Sequence, residues 1–168
     1  DDLFLCGDAG QRIFRAKFPW AALGIDVRGR STRLKVNYRT TEQIRRFADR
    51  LIPSAIDEDD GESTSRATVS VLSGPTPETK SCATVAEEVS AVATWVRALL
   101  ADGYAPRELA VFARTETVLR ERALKALTAA GIEAHALHDD EAVSSTKASY
   151  GTMHRAKGLE FRVVVVMG

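Results

Sequence analysis

The chain is poor in the residues that staple small folds or hold structural metals. Its two cysteines, Cys6 and Cys82, form no Cys-x-x-Cys or Cys/His pattern. That argues against a zinc or disulfide framework and fits thiols kept reduced in a cytoplasmic compartment. The three histidines lack metal-ligand spacing, so no metal site is expected. No apolar run approaches the ~20 residues that span a bilayer, so no membrane partner is expected. The opening Asp1-Asp2 is not the basic start of a secretory leader. An Asp1 start, and an apolar strand that stops at Gly168, read as cuts through a larger protein. What remains is 45% hydrophobic and 27% charged over 168 residues, enough for an ordinary soluble domain with a real core.

Neither sign of charge is in excess: 23 Lys/Arg face 23 Asp/Glu. The distribution is uneven. Arg12 to Arg50 is rich in Lys and Arg and opposed only by Asp26, Glu42 and Asp49, whereas residues 57–62 read Asp-Glu-Asp-Asp-Gly-Glu. A basic segment in a neutral protein suits local contact with phosphates. A solvated surface with charge pairs four residues apart on a helix would look the same.

Hydrophobic periodicity gives an alternating order of strands and helices. Leu3–Cys6 and Leu34–Val36 read as short strands. Thr40-Thr41-Glu42 opens a helix with a threonine cap and an acid in its first turn. Residues 57–66 read as an acidic surface loop, and Ala67–Leu72 as a strand. Thr84 to Ala101 carries Val85, Val89, Val92, Trp95, Val96 and Leu99 at helical spacing and closes at Gly103, with Trp95 expected in the core. Glu108–Ala113 is a strand, Glu116–Ala130 a helix closed by Gly131, and Ile132–Leu137, Ser149–Met153 and Phe161–Met167 are further strands. Strands alternating with helices imply parallel βαβ units. The expected fold is α/β: a three-layer α/β/α sandwich with a mainly parallel sheet of RecA-like (P-loop NTPase-like) type.

Ligands of open α/β sheets collect at the carboxyl ends of the strands, and the polar motifs fall there. Gly7-Asp8-Ala9-Gly10-Gln11-Arg12-Ile13-Phe14 follows the first strand. Asn37-Tyr38-Arg39 follows the second, and Arg114-Thr115 follows Leu109–Ala113. Arg39 offers a charged, planar fork of the kind that stabilises a transferring phosphoryl group. Tyr38 offers a flat face for a base, and Gln11 can donate and accept at once. The run Thr152-Met153-His154-Arg155-Ala156-Lys157-Gly158-Leu159-Glu160-Phe161 precedes the apolar strand Val163–Val166. In it Thr152, His154 and Lys157 can bind phosphate, Gly158 allows close backbone approach, and Glu160 can accept from a ribose hydroxyl. Taken singly, each motif also reads as a polar loop satisfying itself.

Together, in this order, Gly7–Phe14, Leu34–Thr41 and Thr152–Phe161 resemble three consecutive motifs of the UvrD/Rep-type superfamily 1 DNA helicases, from motif III through motif V, and the resemblance covers nearly the whole chain. It implies that residues 1–30 end a first RecA-like domain and that residues 31–168 form most of the second. It implies an ATP-dependent helicase or single-stranded DNA translocase, running 3′ to 5′. ATP with Mg²⁺ would lie between the two RecA-like domains, and single-stranded DNA would be the partner. Gln11 and Arg39 would be catalytic. Tyr38, Arg39, Gln11, Glu160 and Gly158 would bind the nucleotide. Thr152 and His154, with Arg114 and Thr115, would hold the strand.

The departures are specific. Arg12 follows Gln11 where the family often has serine, and Ala16-Lys17-Phe18 replaces the usual aromatic-Arg-Gly. The large helical insertion that precedes motif V in UvrD and Rep is absent. There is no GxxxxGK[ST] loop and no Asp-Glu pair placed for Mg²⁺, so the chain alone is expected not to hydrolyse ATP. Two other readings stay open. One is a helicase-like module that binds DNA or a partner without ATPase activity. The other is the motor part of a helicase-nuclease. Nothing in the motifs reads a 2′-hydroxyl, which leaves RNA as an alternative strand.

Overall fold

A computed structural model describes residues 24–26, 32, 34–51, 55–57, 63–65, 68–137 and 143–168. The expected strand Leu3–Cys6 and the Gly7–Phe14 motif, including Gln11, lie outside the described residues. The chain divides into two compact units, Asp1–Thr79 and Lys80–Gly168. The expected boundary at residue 30 also falls outside the described residues.

In the first unit β1 (Val36–Thr41) pairs in parallel with β4 (Val69–Leu72), and α1 (Glu42–Asp49) lies between them in sequence. A separate antiparallel pair joins β2 (Ala55–Asp57) to β3 (Ser63–Ser65). Part of the segment expected as an acidic loop is therefore strand, because backbone pairing satisfies polar groups whatever the side chains are. Helix α1 starts as its sequence predicts: the Thr41 Oγ1 accepts from the Ile44 N–H at 3.4 Å.

The second unit is a four-stranded parallel sheet in the order β6-β7-β5-β8, formed by β5 (Leu109–Ala113), β6 (Ala134–Ala136), β7 (Ala148–Thr152) and β8 (Val163–Met167). The α/β, mainly parallel architecture expected from the sequence is present and is compatible with a RecA-like fold. All five residues of β5 are buried. Alternation sends Leu109, Val111 and Ala113 to one face and Ala110 and Phe112 to the other.

Helices cover the first face. Helix α2 (Val85–Ala101) brings Ala93 and Val96. A second helical run, α3 (Glu116–Val118), a π-helical segment (Leu119–Leu124) and α4 (Lys125–Ala129), brings Leu119, Ala123, Ala126 and Leu127. Four of these six buried helical residues are alanine or valine, which lets the helices approach the sheet closely. The second face is covered differently. The crossover from β7 to β8 runs over β5 and packs Ala156, Leu159 and Phe161 against Ala110, Phe112 and Leu137. The Phe112 and Phe161 rings meet edge to face, 5.9 Å between centroids. This layer stops short of β8, where Val164 and Val166 are exposed.

Both helical runs begin and end on signals legible in the sequence. Thr84 caps α2 by accepting from the Glu87 N–H, and Thr115 caps α3 by accepting from the Val118 N–H. At each far end a glycine with positive φ, Gly103 at 92° and Gly131 at 79°, turns the chain back. The next two amides then close on the last turn: Gly103 to Leu100 and Tyr104 to Leu99, and likewise Gly131 to Thr128 and Ile132 to Leu127. One expectation fails on α2. Trp95 is exposed, not core, as is Val85 at the start of the same stripe. The buried strip runs through Ala93 and Val96, and Trp95 lies roughly 100° around the helix from Val96. Among the described residues no helix is long and apolar enough to cross a membrane.

Leu127 is fully buried between helix and sheet. Leu127→Ala is expected to remove about 2–5 kcal/mol from the second unit, read as a lower urea midpoint followed by far-UV circular dichroism. An unchanged midpoint would show that this packing does not govern stability.

Candidate functional site

The first unit carries Tyr38 and Arg39. Both lie inside β1, not beyond its end, which corrects the expected strand Leu34–Val36. The pairing of β1 with β4 is regular at Val36 and Asn37, shifts, and resumes at Thr41. The break is organised by Asn37. Its Oδ1 accepts from the Arg39 N–H at 2.8 Å and the Thr40 N–H at 3.2 Å, and its Nδ2 donates to Thr40 Oγ1 at 2.6 Å. An asparagine that satisfies backbone amides two and three residues ahead makes a local turn within an otherwise extended segment. Tyr38 emerges 72% exposed, and Arg39 is exposed beside it.

The foot of this bulge is electrostatic. Glu42, the first residue of α1, accepts from Arg45 at 2.7 Å, from Arg46 at 2.6 Å and from the Ser70 N–H of β4 at 3.3 Å. Arg45 also reaches Asp49. Hydrogen bonds from Arg45 and then Arg46, with a smaller contribution from Ser70, hold the Glu42 carboxyl at about 2, below its ordinary 4.5. Gln43 fixes the other side, its amide nitrogen donating to Ser73 Oγ and its oxygen accepting from the Gly74 N–H. A Cβ at Gly74 would come within 2.8 Å of Thr41 Cγ2, so glycine there allows the chain after β4 to pass the helix cap.

The second unit brings four expected residues to one edge. Strands β5 and β7 are parallel neighbours with Ala113 opposite Thr152. The ladder continues one bond further, from the Met153 N–H to the Ala113 carbonyl at 3.1 Å. Arg114 and Thr115 therefore leave the sheet beside Thr152 and His154. Arg114, Thr115 and His154 are exposed, and Thr152 is half-buried. Thr115 uses its oxygen as the α3 cap, which leaves its hydroxyl hydrogen to donate.

The crossover divides its residues by direction. Ala156, Leu159 and Phe161 pack into the second face of the sheet. His154, Lys157, Gly158 and Glu160 stay outside and exposed. Tight turns carry the backbone, with Arg155 N–H to Thr152 O at 3.0 Å and Ala156 N–H to Met153 O at 3.3 Å. Gly158 takes φ 85°, and no heavy atom lies within 4 Å of where its Cβ would be. Glycine is required there by backbone conformation, with the added effect of leaving the peptide open to a ligand.

One residue was not singled out from the sequence. Arg155 donates through Nη1 to the Leu137 carbonyl at 2.9 Å and pairs with Glu116 at 3.2 Å. Neither partner is near it in sequence, so no local pattern marks it. Among the described residues no group of three His, Cys, Asp or Glu converges to hold a metal. No family model matches the chain, and neither does any curated protein or solved structure.

The depressed Glu42 carboxyl stabilises the fold fully above pH 4.5, and that contribution is lost as pH falls toward 2. Glu42→Gln should melt below wild type above pH 4.5, and the two melting curves should converge as pH drops through that window. A gap that stays constant from pH 6 to pH 2 would mean that Glu42 is not the titrating group.

Proposed function

We propose that this chain is the second motor domain of an ATP-dependent DNA helicase or single-stranded DNA translocase of the UvrD/Rep type, working 3′ to 5′ in the cytoplasm. The observation that carries the reading is the meeting of Arg114-Thr115 with Thr152-His154 on the carboxyl edge of two adjacent parallel strands. Cations and hydroxyls gathered on such an edge suit a phosphate backbone. The motif order supplies the rest of the argument.

In this reading Thr152, His154, Arg114 and Thr115 hold the strand through its phosphates. Tyr38 offers its open face to adenine, and Arg39 directs its guanidinium at the γ-phosphate, where negative charge must be stabilised during transfer. Gln11 couples that phosphate to DNA. Glu160 accepts from the nucleotide ribose, beside the accessible backbone of Gly158. A first RecA-like domain would complete the nucleotide site and supply the phosphate loop and the Mg²⁺ ligands. Hydrolysis would then change the spacing of the two domains and move the strand. Without that complement the isolated chain has half a nucleotide pocket.

ATP turnover by the whole protein, with and without single-stranded DNA, tests this. Turnover should rise with DNA, and Arg39→Ala should lower it by about two orders of magnitude or more, as loss of a transition-state cation does. Near-normal turnover in the variant would remove Arg39 from its assigned role. Absence of turnover with retained strand binding would favour a binding module over a motor. His154→Ala should weaken strand binding and spare nucleotide affinity. Equal DNA affinity in variant and wild type would sink the assignment of this loop to DNA.

A further inference from the structure

Arg155 lies in the turn after β7, between two residues with opposite orientations, exposed His154 and inward Ala156. Its Nη1 is 2.9 Å from the Leu137 carbonyl and 3.2 Å from Glu116 Oε1. Leu137 directly follows β6, Glu116 opens α3 just beyond β5, and Arg155 itself follows β7. The sheet order is β6-β7-β5. One guanidinium thus ties together the segments that leave three adjacent parallel strands, all at the same edge.

We infer that Arg155 is a positioning residue that fixes the Arg114-Thr115 loop and the Thr152–Gly158 turn to each other, and is not itself a ligand of phosphate. The inference rests on the reading of that edge as a strand-binding surface and adds the part that sets its spacing. Three observations carry it. The side chain is already engaged, by a carboxylate and by a backbone carbonyl, so its charge is compensated. Besides these contacts, the turn is tied to the sheet by the Met153 amide on Ala113 and by the packing of Ala156, Leu159 and Phe161. Its short-range bonds do not fix its direction relative to the β5 loop. A planar guanidinium can serve two acceptors in fixed geometry, which an ammonium cannot.

Because Glu116 is about half exposed, the pair contributes little to global stability. Its effect is on loop spacing, which separates it from a core residue. It also inverts the sign expected of simple electrostatics. Glu116 is a negative charge beside a surface proposed to bind an anion, so removing it should tighten binding if only charge mattered. If the pair positions the loops, removing it should loosen binding.

The test uses the full chain with a fluorescein-labelled oligothymidylate as probe. Arg155→Ala and Glu116→Gln should each weaken binding several-fold, and the double variant should be no weaker than the weaker single, as for one shared interaction. Arg155→Lys should fall between wild type and Arg155→Ala. The slope of log affinity against log salt should be unchanged in Arg155→Ala, whereas Lys157→Ala should reduce it by about 0.7, the value for one single-strand phosphate contact. A reduced slope in Arg155→Ala, or tighter binding by Glu116→Gln, overturns the inference.

A probe that does not bind wild type refutes the strand-binding reading instead. Amide exchange then decides the positioning role. Faster exchange at Met153 and Ala156 in both Arg155→Ala and Glu116→Gln, at an unchanged melting temperature, supports it. Unchanged exchange at those amides overturns it.

Discussion

The second unit depends on the burial of β5 from both sides. A strand whose five side chains are all buried needs a layer on each face, and the two layers arise from different parts of the chain. On one face lie α2 and the helical run from Glu116 to Ala129. On the other lies the Met153–Phe161 crossover, pinned by Ala156, Leu159 and Phe161. Strand pairing runs along both edges of β5, with β7 on one side and β8 on the other. The position of β5 therefore fixes the direction of everything that leaves its carboxyl end.

The polar residues of the proposed interface inherit their positions from that constraint. The crossover covers apolar surface and displays functional groups with one short segment. Its inward residues hold it on the sheet, with Lys157 and Glu160 in outward positions between them and His154 exposed just before them. Met153 extends the ladder to Ala113, so the β5 and β7 loops leave the sheet side by side. Arg155 adds a side-chain link to this, joining the segments that follow β6, β7 and β5. In the first unit a single asparagine does comparable work: Asn37 organises the register shift within β1, where Tyr38 and Arg39 are exposed.

Much of this was legible in the sequence where the cause is local. Thr41, Thr84 and Thr115 cap helices because their hydroxyls reach amides three residues on. Gly103 and Gly131 end helices because each takes a left-handed conformation that side chains resist. The strands Leu109–Ala113, Ala148–Thr152 and Val163–Met167 appear within a residue or two of their expected bounds. The misreadings also have local causes. Helical spacing marks Trp95 as apolar but not which part of the strip meets the sheet, and small Ala93 occupies that place. The polarity of Asn37-Tyr38-Arg39 suggested a loop, yet Asn37 supplies its own hydrogen bonds and the strand continues through. The π-helical turn at Leu119–Leu124 left no mark in the periodicity.

By itself, the sequence determined the order of elements in the second unit, the helix caps, the parallel α/β class and the motif residues. These depend on backbone conformation and on side chains a few residues apart. It also carried the resemblance from which a motor domain is proposed. Tertiary structure alone decided which strands are neighbours. That choice places Ala113 opposite Thr152, lays the crossover on Phe112, and brings Arg155 to Glu116 and Leu137. Each of these contacts joins residues far apart in the chain, and their energy comes from burying shared surface and satisfying shared hydrogen bonds. A linear pattern carries no signal for a partner that the fold has not yet brought near.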